Sequence, residues 1–98
     1  MVETMVAKQE TSRQIKEVFT YSAPEAQNVQ LAGSFTDWDK HPIKMRKSKD
    51  GIWRATVTLG PGEYEYRFLV DGQWRNDHAC PLRRPNAFGE DNCIREVR

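Results

Sequence analysis

No stretch of this sequence approaches the ~18 consecutive apolar residues of a membrane span. Residues 1–14 alternate apolar and charged side chains and lack the apolar core of a secretory signal. Cysteine is scarce: Cys80 and Cys93 alone are too few for a disulfide-dense secreted scaffold. With His78 and the distant His41 they do not make the paired four-ligand spacing of structural zinc. Net charge is nearly absent, since 15 Lys and Arg stand against 14 Asp and Glu, and the basic balance of a nucleic-acid binder is missing. At 98 residues the chain is one domain, far below the roughly 250 residues of a barrel enzyme. These absences lead us to expect a soluble, cytoplasmic protein with no membrane or nucleic-acid partner, no metal and no other cofactor.

What is present is aromatic. Hydrophobic residues make up only 38% of the chain, but 10% of it is Trp, Tyr or Phe. Disorder requires few aromatics and a large net charge, so a small core built on rings of roughly 150–250 Å² each fits better. Residues 1–14 read as a flexible or partly helical arm. From residue 15 the pattern becomes strand-like, with Ile15, Glu17, Phe19 and Tyr21 alternating with Lys16, Val18 and Thr20. Further strands are expected at residues 28–32, 42–46, 53–59, 63–70 and 93–97, the stretch between Trp74 and Cys93 being loop-like. The basic cluster Lys40, Lys44, Arg46, Lys47 and Lys49 reads as a solvated edge strand. Short strands with a turn signal every 8–12 residues, and no sustained helical period, predict an all-β fold. The form expected over residues 15–98 is an immunoglobulin-like antiparallel β-sandwich.

The Asp71-Gly72 turn fixes the direction of one tryptophan. A two-residue loop pairs Leu69 with Trp74, and cross-strand partners share a face. Tyr64, Tyr66, Phe68 and Val70 form the apolar stripe, so Glu65, Arg67, Leu69 and Trp74 point to the other side. A turn one residue longer would reverse this and bury Trp74. Trp38, between Asp37 and Asp39 in a loop, also reads as exposed, whereas Trp53 lies on an apolar strand face and belongs to the core. Exposed indoles beside Arg, Gln, Asn and Asp suit a sugar, whose C–H face stacks on a ring while its hydroxyls need planar polar partners. The same surface would suit a protein-binding hot spot.

Four motifs in order resemble one family: Gly33-Ser-Phe-Thr-Asp-Trp38, Gly60-Pro-Gly-Glu-Tyr-Glu-Tyr-Arg-Phe68, Val70-Asp-Gly-Gln-Trp74 and Gly89-Glu-Asp-Asn92. The chain is similar, from about Glu17 to Val97, to the family 48 carbohydrate-binding modules. These include amino-terminal domains of isoamylases and branching enzymes and the glycogen-binding domain of AMP-activated protein kinase β. The resemblance implies a sandwich that binds α-1,4-linked glucans such as glycogen, starch or maltooligosaccharides. It implies that Trp38 and Trp74 stack on sugar, that Arg67 takes the place of a basic sugar-contacting residue, and that Phe88 replaces a projecting Leu. Asn92 matches the family's sugar-contacting Asn. A neighbouring Thr or Ser contact falls on Glu90, a departure.

Carboxylates are plentiful, but a sandwich this small offers little cleft wall for a glycosidase pair held roughly 5–9.5 Å apart, so no enzyme activity is expected. The cysteines are expected to be reduced, with a Cys80–Cys93 bridge left open. Two functions remain: a glucan-binding module, with a glycogen- or starch-active enzyme or regulatory protein as a further candidate partner, and a regulatory or scaffold domain with a vestigial sugar site.

Overall fold

A computed structural model describes residues 13–98. The expected arm therefore lies outside the described residues, apart from Arg13 and Gln14, both exposed. The strands are β1 (Ile15–Ser22), β2 (Val29–Gly33), β3 (Ile43–Lys44), β4 (Arg46–Lys47), β5 (Ile52–Leu59), β6 (Gly62–Val70), β7 (Gln73–Arg75), β8 (Arg83–Pro85) and β9 (Asp91–Val97). They form two antiparallel sheets. One has the order β1-β5-β4; the other has β3-β2-β6-β9-β8, with β7 also paired to β6. No helix of the described residues is long and apolar enough to cross a membrane.

Alternation decides which side of each strand meets the opposite sheet. Phe19, Trp53 and Leu59 from the smaller sheet pack against Val29, Leu31, Tyr66, Phe68, Cys93 and Val97 from the larger one. Rings carry much of this contact. Phe19 meets Tyr66 edge-on at 5.0 Å, and Tyr21 meets Phe68 at 4.8 Å. Trp53 is in the core, as its strand pattern indicates, and its indole N–H donates to the Ala23 carbonyl at 2.9 Å. Burying that donor with a partner avoids the cost of an unpaired polar group.

The β6–β7 hairpin has the two-residue loop expected of it. Leu69 pairs with Trp74 and Val70 with Gln73. Asp71 and Gly72 both have positive φ, 49° and 85°, the conformation whose twist matches that of the flanking strands. The Asp71 carboxylate accepts the backbone N–H groups of Gln27 and Asn28 at 3.0 and 2.8 Å, fixing the turn to the neighbouring loop.

Three expectations need correction. Residues 42–46 do not form one strand. The chain pairs with β2 through Ile43 and Lys44, then crosses to pair with β5 through Arg46 and Lys47. Met45, buried at the crossing, keeps its N–H bonded to the Val29 carbonyl at 2.9 Å. Alternation holds across the break, so periodicity alone does not reveal a change of sheet. Residues 83–85, expected in a loop, are strand β8 on the edge beside β9, which begins at Asp91 rather than Cys93. A Pro is tolerated there because an edge strand leaves one row of donors unused.

The third correction concerns sulfur. Cys80 and Cys93 are disulfide-bonded, their Cα atoms 6.0 Å apart. Cys93 points into the core from β9, and a turn closed by the Cys80 N–H on the Asp77 carbonyl brings Cys80 over it. That proximity is tertiary, with nothing local in the sequence to announce it.

Candidate functional site

The outward face of β6 supplies the floor of a surface cavity. Glu65 and Arg67 alternate there with the core residues Tyr66 and Phe68. Trp74 joins them from β7, Asn92 from β9 and Trp38 from the loop after β2. The loop of residues 86–90 closes the far side. Together they line a cavity of about 690 Å³.

Trp38 reaches this face through an unusual backbone. Asp37 and Trp38 both have left-handed φ values, 56° and 57°, which cost non-glycine residues on the order of 1–3 kcal/mol each and persist only where the surroundings impose them. The buried hydroxyl of Thr36 does so here. It accepts the Gly33 N–H at 2.9 Å and lies 3.0 and 2.9 Å from the Gly33 and Trp38 carbonyls. The Trp38 and Trp74 ring centroids are then 6.3 Å apart, the planes inclined at 67°.

Arg67 lies beneath them and is only 9% exposed. Its outward direction is as expected, but it is covered rather than displayed. Nε donates to Asn76 Oδ1 at 2.7 Å, Nη1 pairs with Glu90 Oε1 at 2.8 Å, and Cζ stands 5.7 Å from the Trp74 centroid. The guanidinium therefore has a planar contact and two polar partners already.

Asn92 is likewise covered, at 6% exposure. Its amide donates to Glu65 Oε1 at 2.9 Å and its oxygen accepts from Asn86 Nδ2 at 3.1 Å. Glu65 also accepts from Arg84 at 2.9 Å. The Asn92 amide first, then Arg84, holds the Glu65 carboxyl below its ordinary value, against the opposing effect of burial.

Asn86, which the sequence reading passed over, shapes the last wall. Its Oδ1 accepts the N–H groups of Phe88 and Glu90 at 2.9 and 3.1 Å, and its own N–H donates to the Glu90 carbonyl at 2.7 Å. Gly89 turns the chain at φ 81°. Phe88 is left 89% exposed at the rim, a large apolar side chain with no packing within its own domain to explain it. An Asn that mimics a backbone turn and is followed three residues later by Gly is a loop signal available in the sequence. Asn76 and Thr36 had no such local mark.

The expected site residues Trp38, Arg67, Trp74, Phe88 and Asn92 thus line one cavity. Indole walls, an exposed phenyl rim and a floor of ordered amides and carboxylates are the chemistry of a carbohydrate-binding β-sandwich. The sequence model of the family described as the glycogen recognition site of AMP-activated protein kinase matches residues 15–98, and the chain belongs to that family. It is 42% identical over 69 residues to Protein PTST homolog 2, chloroplastic, of Arabidopsis thaliana, covering 70% of this chain and 13% of that protein. It is 37% identical over 81 residues to Protein FLOURY ENDOSPERM 6, chloroplastic, of Oryza sativa subsp. japonica, covering 83% and 15% respectively. It is 41% identical over 54 residues to the 5'-AMP-activated protein kinase subunit beta-1 of Sus scrofa, covering 55% and 42%. The chain thus spans a small part of the two plant relatives. Their chloroplastic location overturns the expectation of a cytoplasmic protein. That expectation rested on composition and on the absence of a secretory signal, neither of which distinguishes cytosol from plastid.

Proposed function

We propose that this domain binds α-1,4-linked glucan without chemically altering it, with Trp38 and Trp74 as stacking walls and Phe88 as an apolar rim contact. The observation that carries the reading is the 67° inclination of two indoles facing one cavity. An α-1,4-linked chain curves, so successive sugar faces turn relative to one another, and inclined rings follow that curve better than a flat platform. Asn92 and Arg67 act beneath the walls, their amide and guanidinium positioning Glu65 and Trp74. Glu65 and Glu90 are tied to Arg84, Asn92 and Arg67 rather than poised as an acid and a base across a scissile bond. The kinase-subunit relative extends the proposal to tethering, in which the domain holds a glucan-active or regulatory partner to the polymer.

Titration calorimetry with maltoheptaose and β-cyclodextrin, and with cellohexaose as the flat-chain control, tests this. Binding of the first two with Kd roughly 1 μM–1 mM, and much weaker binding of the third, is the expected result. Equal binding of all three would remove the curvature argument. Release of reducing sugar from amylose by the purified protein would remove the non-catalytic reading.

A further inference from the structure

Among the described residues, the cavity is lined by three carboxylates, on Asp39, Glu65 and Glu90, and by a single cationic side chain, Arg67. Arg84 offsets Glu65 from behind and also engages Glu63. Arg67 is the group that would recognise an anion, because a guanidinium fork matches a phosphate with two parallel hydrogen bonds. Neither two-donor edge of that fork is free. Asn76 occupies Nε, Glu90 occupies Nη1, and the Trp74 ring lies against the guanidinium.

Glu90 is not a loosely placed surface charge. Asn86 holds its backbone from both sides, through the Glu90 N–H and the Glu90 carbonyl. The side chain is 59% exposed, and among the described residues its second oxygen has no partner. A sugar hydroxyl can donate to that oxygen. A phosphate ester at neutral pH carries close to two negative charges and accepts hydrogen bonds without donating, so it meets a like charge and gains no bond.

We propose that Glu90 is a specificity-determining residue: by capping Arg67 with a carboxylate, it makes the cavity accept neutral α-glucan segments and reject segments that carry phosphate esters. The inference rests on the glucan-binding reading above and assigns that site its substrate class. It also gives the Glu90 departure from the family pattern a chemical consequence.

The test uses one material in two states: soluble amylodextrin densely phosphorylated on its glucose units, and the same amylodextrin after complete phosphatase treatment. Wild-type protein should bind the dephosphorylated form at least roughly fivefold more tightly at low salt. The gap should shrink as salt rises, since screening shortens from about 30 Å at 0.01 M to about 8 Å at 0.15 M. Glu90→Gln should bring the two affinities within about twofold, chiefly by gaining on the phosphorylated form, with Glu90→Thr behaving alike. Equal binding of both forms by the wild type would overturn the inference while leaving glucan binding intact. An undiminished gap in Glu90→Gln and Glu90→Thr would overturn it as well. Binding of neither form would remove the glucan reading and this inference with it.

Discussion

Arg67 Cζ stands 5.7 Å from the Trp74 ring centroid while Nη1 of the same guanidinium holds Glu90 at 2.8 Å. One side chain thus supports an indole wall on one side and fixes the charge of the opposite loop on the other. Truncating it would leave a cavity under Trp74 and release Glu90 together. In the proposed site it holds these two groups in place instead of presenting a free fork to a ligand.

Trp74→Ala should weaken maltoheptaose binding by on the order of 2 kcal/mol, the loss typical of a central aromatic anchor. Because the ring is only half-buried, the melting temperature should change little. Trp53→Ala should do the reverse, since it removes a core ring and its bond to Ala23; a stability loss of roughly 3–5 kcal/mol is expected. Calorimetric titration and thermal denaturation of both variants measure the contrast.

Thr36→Val keeps the size of the side chain and removes the hydroxyl that serves the Gly33 and Trp38 backbone. The expected cost in stability is about 1–3 kcal/mol, that of leaving buried polar groups unpaired. Binding should fall as well, because the strained φ of Trp38 loses its support. A variant that binds maltoheptaose as tightly as wild type would show that Trp38 is held by other means.

Asn86→Ala removes two hydrogen bonds within the loop of residues 86–90 and a third that ties the loop to the Asn92 side chain on β9, leaving the backbone ladders of both sheets in place. Affinity should drop about fivefold, near 1 kcal/mol, with thermal stability within about 1 kcal/mol of wild type. Faster hydrogen exchange confined to residues 86–90 would mark the loosened loop.

The pairing of Cys80 with Cys93 closes a short loop onto β9. Constraining the unfolded chain in this way is worth up to ~3 kcal/mol for a loop of this size. Reductant should therefore lower the melting temperature by on the order of 10 °C, and the Cys80→Ser variant should melt low with or without reductant. Identical melting of the wild type in both conditions would show that the bridge contributes nothing.

Acid sensitivity follows from two depressed carboxyls. Glu65 lies below its ordinary 4.5 because of Asn92 and Arg84. Asp50 is lowered from 3.8 to about 2 by the Ser48 hydroxyl, the Ile52 N–H and Arg54. A carboxyl depressed in the folded state stabilises it fully above the unfolded value and progressively less as pH falls through the folded one. The melting temperature should hold above pH ~5 and decline below 4.5 and on through 3.8 towards 2. Glu65→Gln should shallow the upper part of that decline and Asp50→Asn the lower part.

Much of the sandwich was legible because its signals are local. Alternation marked β1, β5 and β6, and the Asp71-Gly72 pair fixed the register that carries Trp74 to the outer face. What stayed hidden depends on residues distant in sequence. The change of sheet at Met45 preserves the alternating pattern, and β8 is too short and too rich in Arg and Pro to read as a strand. The covering of Arg67 and Asn92 requires Asn76, Asn86 and Glu90 to converge from other loops. A sequence tells which side of a strand a residue is on. It does not tell what lies over that side.

The crossing at Met45 ties the two sheets with one continuous piece of backbone, Ile43–Lys44 paired in one and Arg46–Lys47 in the other. Apolar contact between sheets is non-directional and resists sliding weakly, whereas a covalent stitch bonded at both ends must break ladder bonds before either sheet can shear. The stitch lies at the edge of the same sheet that carries the indole walls, so a tangential load on that sheet passes directly into its neighbour.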